Sequence, residues 1–296
     1  MSRAGRIGWL ALLLSGLSAC ASTGPDRVAL DQLPDAHREL LDAYREERDD
    51  WPSLRAAAAE DPALAAFLVD NFAASMVQSF QASRIGSLQA PDSPFRRAQN
   101  ELVALGAHST PLLVEMVASD DAILAHLGAE TLVRIGDDAA ASSLLLLDHP
   151  RPEVRRRGAE LLGALPGPNG DELTLLAALA RVAREDESWA VRAQAVRSMG
   201  ARANFLPRTG ALIQALSQAT QDPDSTVAGE AARALGALGE VRAAPALIAL
   251  VERAVAEADV KLHRAAQESL VELAGGGPQR DARAWRAWLE ERLRSR

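Results

Sequence analysis

The amino-acid sequence predicts an all-α fold, a stack of helical hairpins of the α-solenoid kind, on three observations. Alanine and leucine dominate the 296 residues and aromatic side chains make up only 4%, so helix formers abound while β-branched and aromatic strand formers are scarce. One motif recurs six times between residues 94 and 275. Its apolar positions follow a helical period, not a strand period.

The repeats are marked by Leu102, Leu132, Leu162, Met199, Leu235 and Leu270, at steps of 30, 30, 37, 36 and 35 residues, each the length of one helical hairpin. Four residues before each marker stands a small residue: Ala98, Gly128, Gly158, Ala195, Ala231 and Ala266. It lies one turn away on the same face, where a neighbouring helix must come close. Eight residues before, Leu124, Val154, Val191, Val227 and Leu262 extend the stripe. Asp120-Asp121, Pro150 to Glu153, Asp186 to Ser188 and Asp222 to Ser225 precede these helices and supply N-caps and acid at the positive end of the dipole. Glycines 106, 136, 200 and 239 are expected to end helices in the left-handed conformation. The other helix of each hairpin is read at Pro111 to Val117, Ala141 to Leu147, Leu173 to Val182, Ala211 to Leu216 and Pro245 to Val251.

With Val154-Arg155 and Val191-Arg192 opening two of the marked helices, the pattern over roughly residues 94 to 275 resembles the HEAT-like repeats, in particular the short kind first described in phycobilin lyases. The resemblance implies a right-handed α-solenoid of HEAT-like hairpins whose second helices line a protein-binding face. Val227-Ala228 and Leu262-His263 depart from the Val-Arg pair, which argues against a continuous arginine ladder.

Such an array needs caps, because a hairpin cannot bury its own apolar stripe. Residues 34–93 are read as an N-terminal helical cap continuous with the array at 94–280. Within the cap, Asp35 to Asp49 is amphipathic, Asp61-Pro62 starts a helix as N-cap and N1, and 83–93 form a loop. Phe67, Phe72, Met76 and Phe80 either close the end of the stack or form a pocket. Residues 281–296 form the C-terminal capping helix, hinged at Gly275 to Gln279. Trp285, Trp288, Leu289 and Leu293 share one face, which either packs on the last repeat or offers a ligand platform.

At the N-terminus, Arg3 and Arg6 precede an apolar run from Ile7 to Leu14 and small residues from Ser15 to Ala19, the three parts of an export signal. Leu17-Ser18-Ala19-Cys20, which holds the one cysteine, resembles the bacterial lipoprotein box. The resemblance implies cleavage after residue 19, acylation of Cys20 and a tether at 20–33. Two or three acyl chains anchor stably where one does not. Alanine at position 21, in place of aspartate, favours the outer over the inner membrane. Alternatives are an uncleaved signal anchor, or a signal cut elsewhere.

Without Arg3 and Arg6 the chain keeps 30 basic against 40 acidic side chains, a net of −10, which argues against nucleic acid or a polybasic membrane face as partner. A modified Cys20 leaves no thiol for disulfides or metal. Apart from the signal, no apolar run approaches the roughly 18 residues of a membrane span. No His pair has zinc spacing among His37, His108, His126, His149 and His263, and neither phosphate loop, dinucleotide fingerprint nor nucleophile elbow occurs. The expectation is a non-catalytic protein with no cofactor or metal. Its candidate binding surface, for an unknown protein partner, is Arg134, Arg156, Glu160, Arg197, Glu230, Arg233, Arg264 and Glu268, with Glu272 beside them. The alternatives are a lyase-like or other envelope enzyme on the same repeats, or a cell-wall-binding lipoprotein.

Overall fold

The computed structural model describes residues 28–45, 51–82, 90, 93–167, 172–205, 210–277 and 281–294; the signal and Cys20 lie outside them. Among the described residues all regular structure is helical. Fifteen α-helices follow in order: α1 (Asp35–Arg45), α2 (Trp51–Glu60), α3 (Pro62–Ala82), α4 (Pro94–Ala104), α5 (Thr110–Ala118), α6 (Ala122–Ile135), α7 (Asp137–Leu144), α8 (Pro152–Ala164), α9 (Glu172–Glu185), α10 (Trp189–Ala201), α11 (Gly210–Ala219), α12 (Ser225–Leu238), α13 (Ala244–Ala256), α14 (Val260–Leu273) and α15 (Ala282–Arg294). Two compact units divide them, Met1–Ser142 and Ser143–Arg296. The division falls inside the repeats, not at the join of cap and array.

All six repeat markers are fully buried, at 0% exposure. In the N-terminal unit α1 packs on α2, α2 on α3, α3 on α4, α4 on α6 and α5 on α6. In the C-terminal unit the marked helices α8, α10, α12 and α14 lie in a row, each against the next, and α9, α11 and α13 form the partner layer. The small residues explain both contacts. A Cβ on Gly158 would meet Leu146 Cβ at 2.5 Å, inside its own hairpin, and one on Gly163 would meet Ser198 Cα at 2.9 Å, in the next repeat.

Aspartates 121 and 224 accept backbone N–H bonds at the starts of α6 and α12, and Asp61 does so for α3, where the sequence places caps; Asp259 caps α14 without having been singled out, and the N-cap residues of α8 and α10, Arg151 and Ser188, make no side-chain cap bond. Of the four expected glycine stops, Gly106, Gly136 and Gly239 have positive φ. Gly200 does not. It lies inside α10, where a Cβ would come within 3.1 Å of Ala234 Cβ, so close packing and not chain reversal calls for glycine there.

Tyr44, Trp51 and Phe72 of the N-terminal cap are mutually packed. Phe72 meets Tyr44 and Trp51 edge-on, with centroids 6.2 and 5.6 Å away, Phe80 packs on Phe95 at 5.9 Å, and Met76 is fully buried. Helix α3 corrects the expectation of no second run of membrane-spanning length: it has 21 residues, and an 18-residue window of it has a mean hydropathy of 1.3, long and apolar enough to span by length and composition. Polar residues, among them Asp70, Asn71, Gln78 and Gln81, break up the apolar run in the sequence. Leu64, Leu68, Val69 and Met76 on α3 are buried within the unit. At the other end, α15 lies on α13 and buries Trp285 to 1% exposure. The indole N–H of Trp285 donates to Gln267 Oε1 at 2.9 Å, and Trp288 packs edge-to-face on it. The stripe stops there, since Leu293 is 61% exposed.

Candidate functional site

The expected surface residues all lie on the marked helices, because their apolar stripe turns inward and leaves the charged positions outside. Arg197 Nη2 donates to Glu230 Oε1 at 2.7 Å, and Arg233 meets the same carboxylate at 2.8 Å, so α10 and α12 bring two guanidinium groups onto one acid. Burial alone would raise the Glu230 carboxyl, but the bonds from Arg197 and Arg233 outweigh it and hold it low. Arg156 and Glu160 pair within α8 at 3.2 Å. Arg264, Glu268 and Glu272 are exposed on α14. Arg134 belongs to the N-terminal unit, where it donates to Gln99 Oε1 and Asn100 Oδ1 at 2.5 Å each.

Sequence reasoning passed over the ion pairs that tie one repeat to the next. Arg155, seven residues before its marker, makes a two-pronged bond to Asp186, with Nε at 2.6 Å and Nη2 at 3.0 Å. Arg192 repeats this on Asp222 at 2.7 and 2.9 Å. Each arginine also donates to the carbonyls of its own preceding turn, His149 and Pro150 for the first, Asp186 and Glu187 for the second. The ladder has these two rungs and stops where Ala228 replaces arginine. The Val-Arg pairs signalled the donors, but the acceptors lie some thirty residues away and look like ordinary helix caps.

Arg202 left no sequence signal at all. It follows α10, is 1% exposed, and donates to the carbonyls of Leu162 and Leu165 at 3.0 and 2.9 Å and to Glu172 Oε2 at 2.9 Å. A shallow cleft of about 380 Å³ beside the Arg155–Asp186 rung is lined by charged groups already engaged with each other, among them Asp148 with Arg181 at 2.8 Å. Among the described residues no three metal-binding side chains converge. The arrangement presents charge and hydrogen-bond donors along helix faces.

Residues 174–271 match the family of HEAT repeats. The match spans α9 to α14, the row of hairpins in the C-terminal unit. No curated protein matches the chain. Among solved structures, the complex of CpcE and CpcF of phycocyanin lyase from Nostoc sp. PCC7120 is similar at 20% identity, over 92% of this chain and 97% of that one, with a TM-score of 0.33. This finding, a chain of a lyase complex, corrects the expectation of a non-catalytic protein, which is withdrawn. At this degree of likeness no activity passes to this chain.

Proposed function

We propose that the chain is a lipid-anchored protein of the bacterial cell envelope whose HEAT repeats offer the marked-helix face as a docking surface for another protein. Support for docking comes above all from one observation. The exposed faces of α8, α10, α12 and α14 carry charged side chains of both signs in register from repeat to repeat, with Arg197, Glu230 and Arg233 converging across two of them. Mixed signs suit another protein better than a uniformly charged polymer. Support for anchoring comes from the Leu17 to Cys20 box and the export signal before it.

Both halves are tested in intact cells. Labelled fatty acid is expected in the mature chain and absent from Cys20→Ser, which stays unprocessed; a mature chain without label defeats the anchor. Photo-crosslinkers at positions 197 and 233 are expected to trap one protein, with far lower yield from a crosslinker at the buried-side position 247. Equal yields from all three would defeat the docking face.

A further inference from the structure

Among the described residues, the N-terminal unit holds a guanidinium, that of Arg134, with hydrogen bonds to neutral amide oxygens and no ion pair to a carboxylate. Arg134 stands in the last turn of α6 and Arg96 in the first turn of α4. Both guanidinium groups donate to one acceptor, Gln99 Oε1, at 2.5 and 2.8 Å. Gln99 is fully buried and its direction is set from behind, because its amide nitrogen donates to Thr131 Oγ1 at 3.3 Å while that hydroxyl donates to the Leu127 carbonyl at 2.8 Å. Arg96 meets a carboxylate, Glu130, at 3.2 Å. Arg134 meets none within 4 Å among the described residues. Its partners are two neutral amide oxygens. Burial and the neighbouring charge of Arg96 both push the Arg134 guanidinium below its ordinary range, against the weaker pull of Glu130.

Two like charges drawn to one neutral oxygen repel each other, and an incoming anion would relieve that repulsion. The guanidinium fork suits a planar carboxylate, which it can bind through two parallel bonds. A polyanionic surface such as nucleic acid or an anionic membrane suits the site less, since the chain as a whole carries a net charge of −8 and repels extended negative charge. We propose that Arg134 and Arg96 bind a carboxylate side chain on a short acidic segment of a partner protein. The proposal rests on the docking role proposed for this chain and names the chemistry recognised within its N-terminal unit.

The test uses the full chain in detergent with a labelled short oligoglutamate peptide, inorganic phosphate and phosphatidylglycerol vesicles as separate probes. The peptide is expected to bind, about tenfold more weakly to Arg134→Ala, the effect of one charge-assisted contact. Glu130→Gln, which removes the competing carboxylate, is expected to bind more tightly than the parent. Arg134→Ala should melt no lower than the parent, so a loss of binding cannot be put down to unfolding. Equal binding by Arg134→Ala, or vesicles or phosphate binding more tightly than the peptide, would overturn the proposal. The two readings separate in their failures: peptide binding through Arg134 with no crosslinked partner sinks the docking role alone. A crosslinked partner with peptide binding indifferent to Arg134 sinks this inference alone.

Discussion

A Cβ built on Gly236 would lie 2.8 Å from Ser269 Cα, in the backbone of the next repeat. Seven residues earlier on the same helix, Gly229 has only the flexible end of Arg233 and Ala265 Cβ near it, at 3.8 and 4.0 Å. The two glycines should therefore respond oppositely to the same change. Gly229→Ala is expected to raise stability by about 0.5–1 kcal/mol, because alanine is the better helix former. Gly236→Ala is expected to lower it by about 1–2 kcal/mol, the overpacking outweighing the propensity; urea unfolding of the two variants checks both signs. Ala258 invites the reverse exchange. Its φ of 55° is left-handed, so Ala258→Gly should raise the urea midpoint, by about 1 kcal/mol in stability at most. None of this could be read from composition, since Gly163, Gly200 and Gly236 each stand directly after a marker while the atom that excludes a larger side chain belongs to another repeat.

Between elements, the rungs Arg155–Asp186 and Arg192–Asp222 couple each turn to the next, and their arginines and aspartates are mostly out of solvent, at 11% and 6% side-chain exposure in the first rung. Removing Arg155 leaves the shielded Asp186 carboxylate with the Ser188 N–H as its remaining donor, so Arg155→Ala is expected to cost about 1.5–3 kcal/mol. Arg155→Lys should recover only part of this, lacking the fork. Burial alone would raise the Asp186 carboxyl, but the bonds from Arg155 and the Ser188 N–H outweigh it and hold it below the usual range. A carboxyl depressed on folding contributes stability that is complete above its unfolded value, near pH 3.9, and is lost as pH falls through the folded one. Acid titration of unfolding should therefore show a loss below about pH 4 that is shallower in Arg155→Ala. The Val-Arg dipeptides made half of each rung legible. The aspartates stayed hidden because capping and pairing call for the same residue in the same turn.

At the scale of the molecule, repeats are stable only through their neighbours, and the last one needs a lid. Trp285 supplies it, buried against the array with its N–H on Gln267. Trp285→Ala is expected to cost about 3–5 kcal/mol and to speed amide exchange in α13 and α14 more than in α8, a gradient that would be absent if the C-terminal unit opened all at once. Helical periodicity, repeat length, buried markers and most caps were legible because each depends on residues within one or two turns of each other. The same holds for the acidic charge balance and for the candidate lipid box, which need no fold to be recognised. The division of the array into two units, the buried Arg202, the two-rung ladder and the convergence of Arg96 and Arg134 on Gln99 were decided only in three dimensions, because each joins side chains at least thirty residues apart or depends on how tightly neighbouring helices pack. Sequence alone thus determined which face of each helix is buried; tertiary structure decided which charges on the other face pair with one another and which meet only neutral groups, since pairing depends on distances that periodicity does not encode.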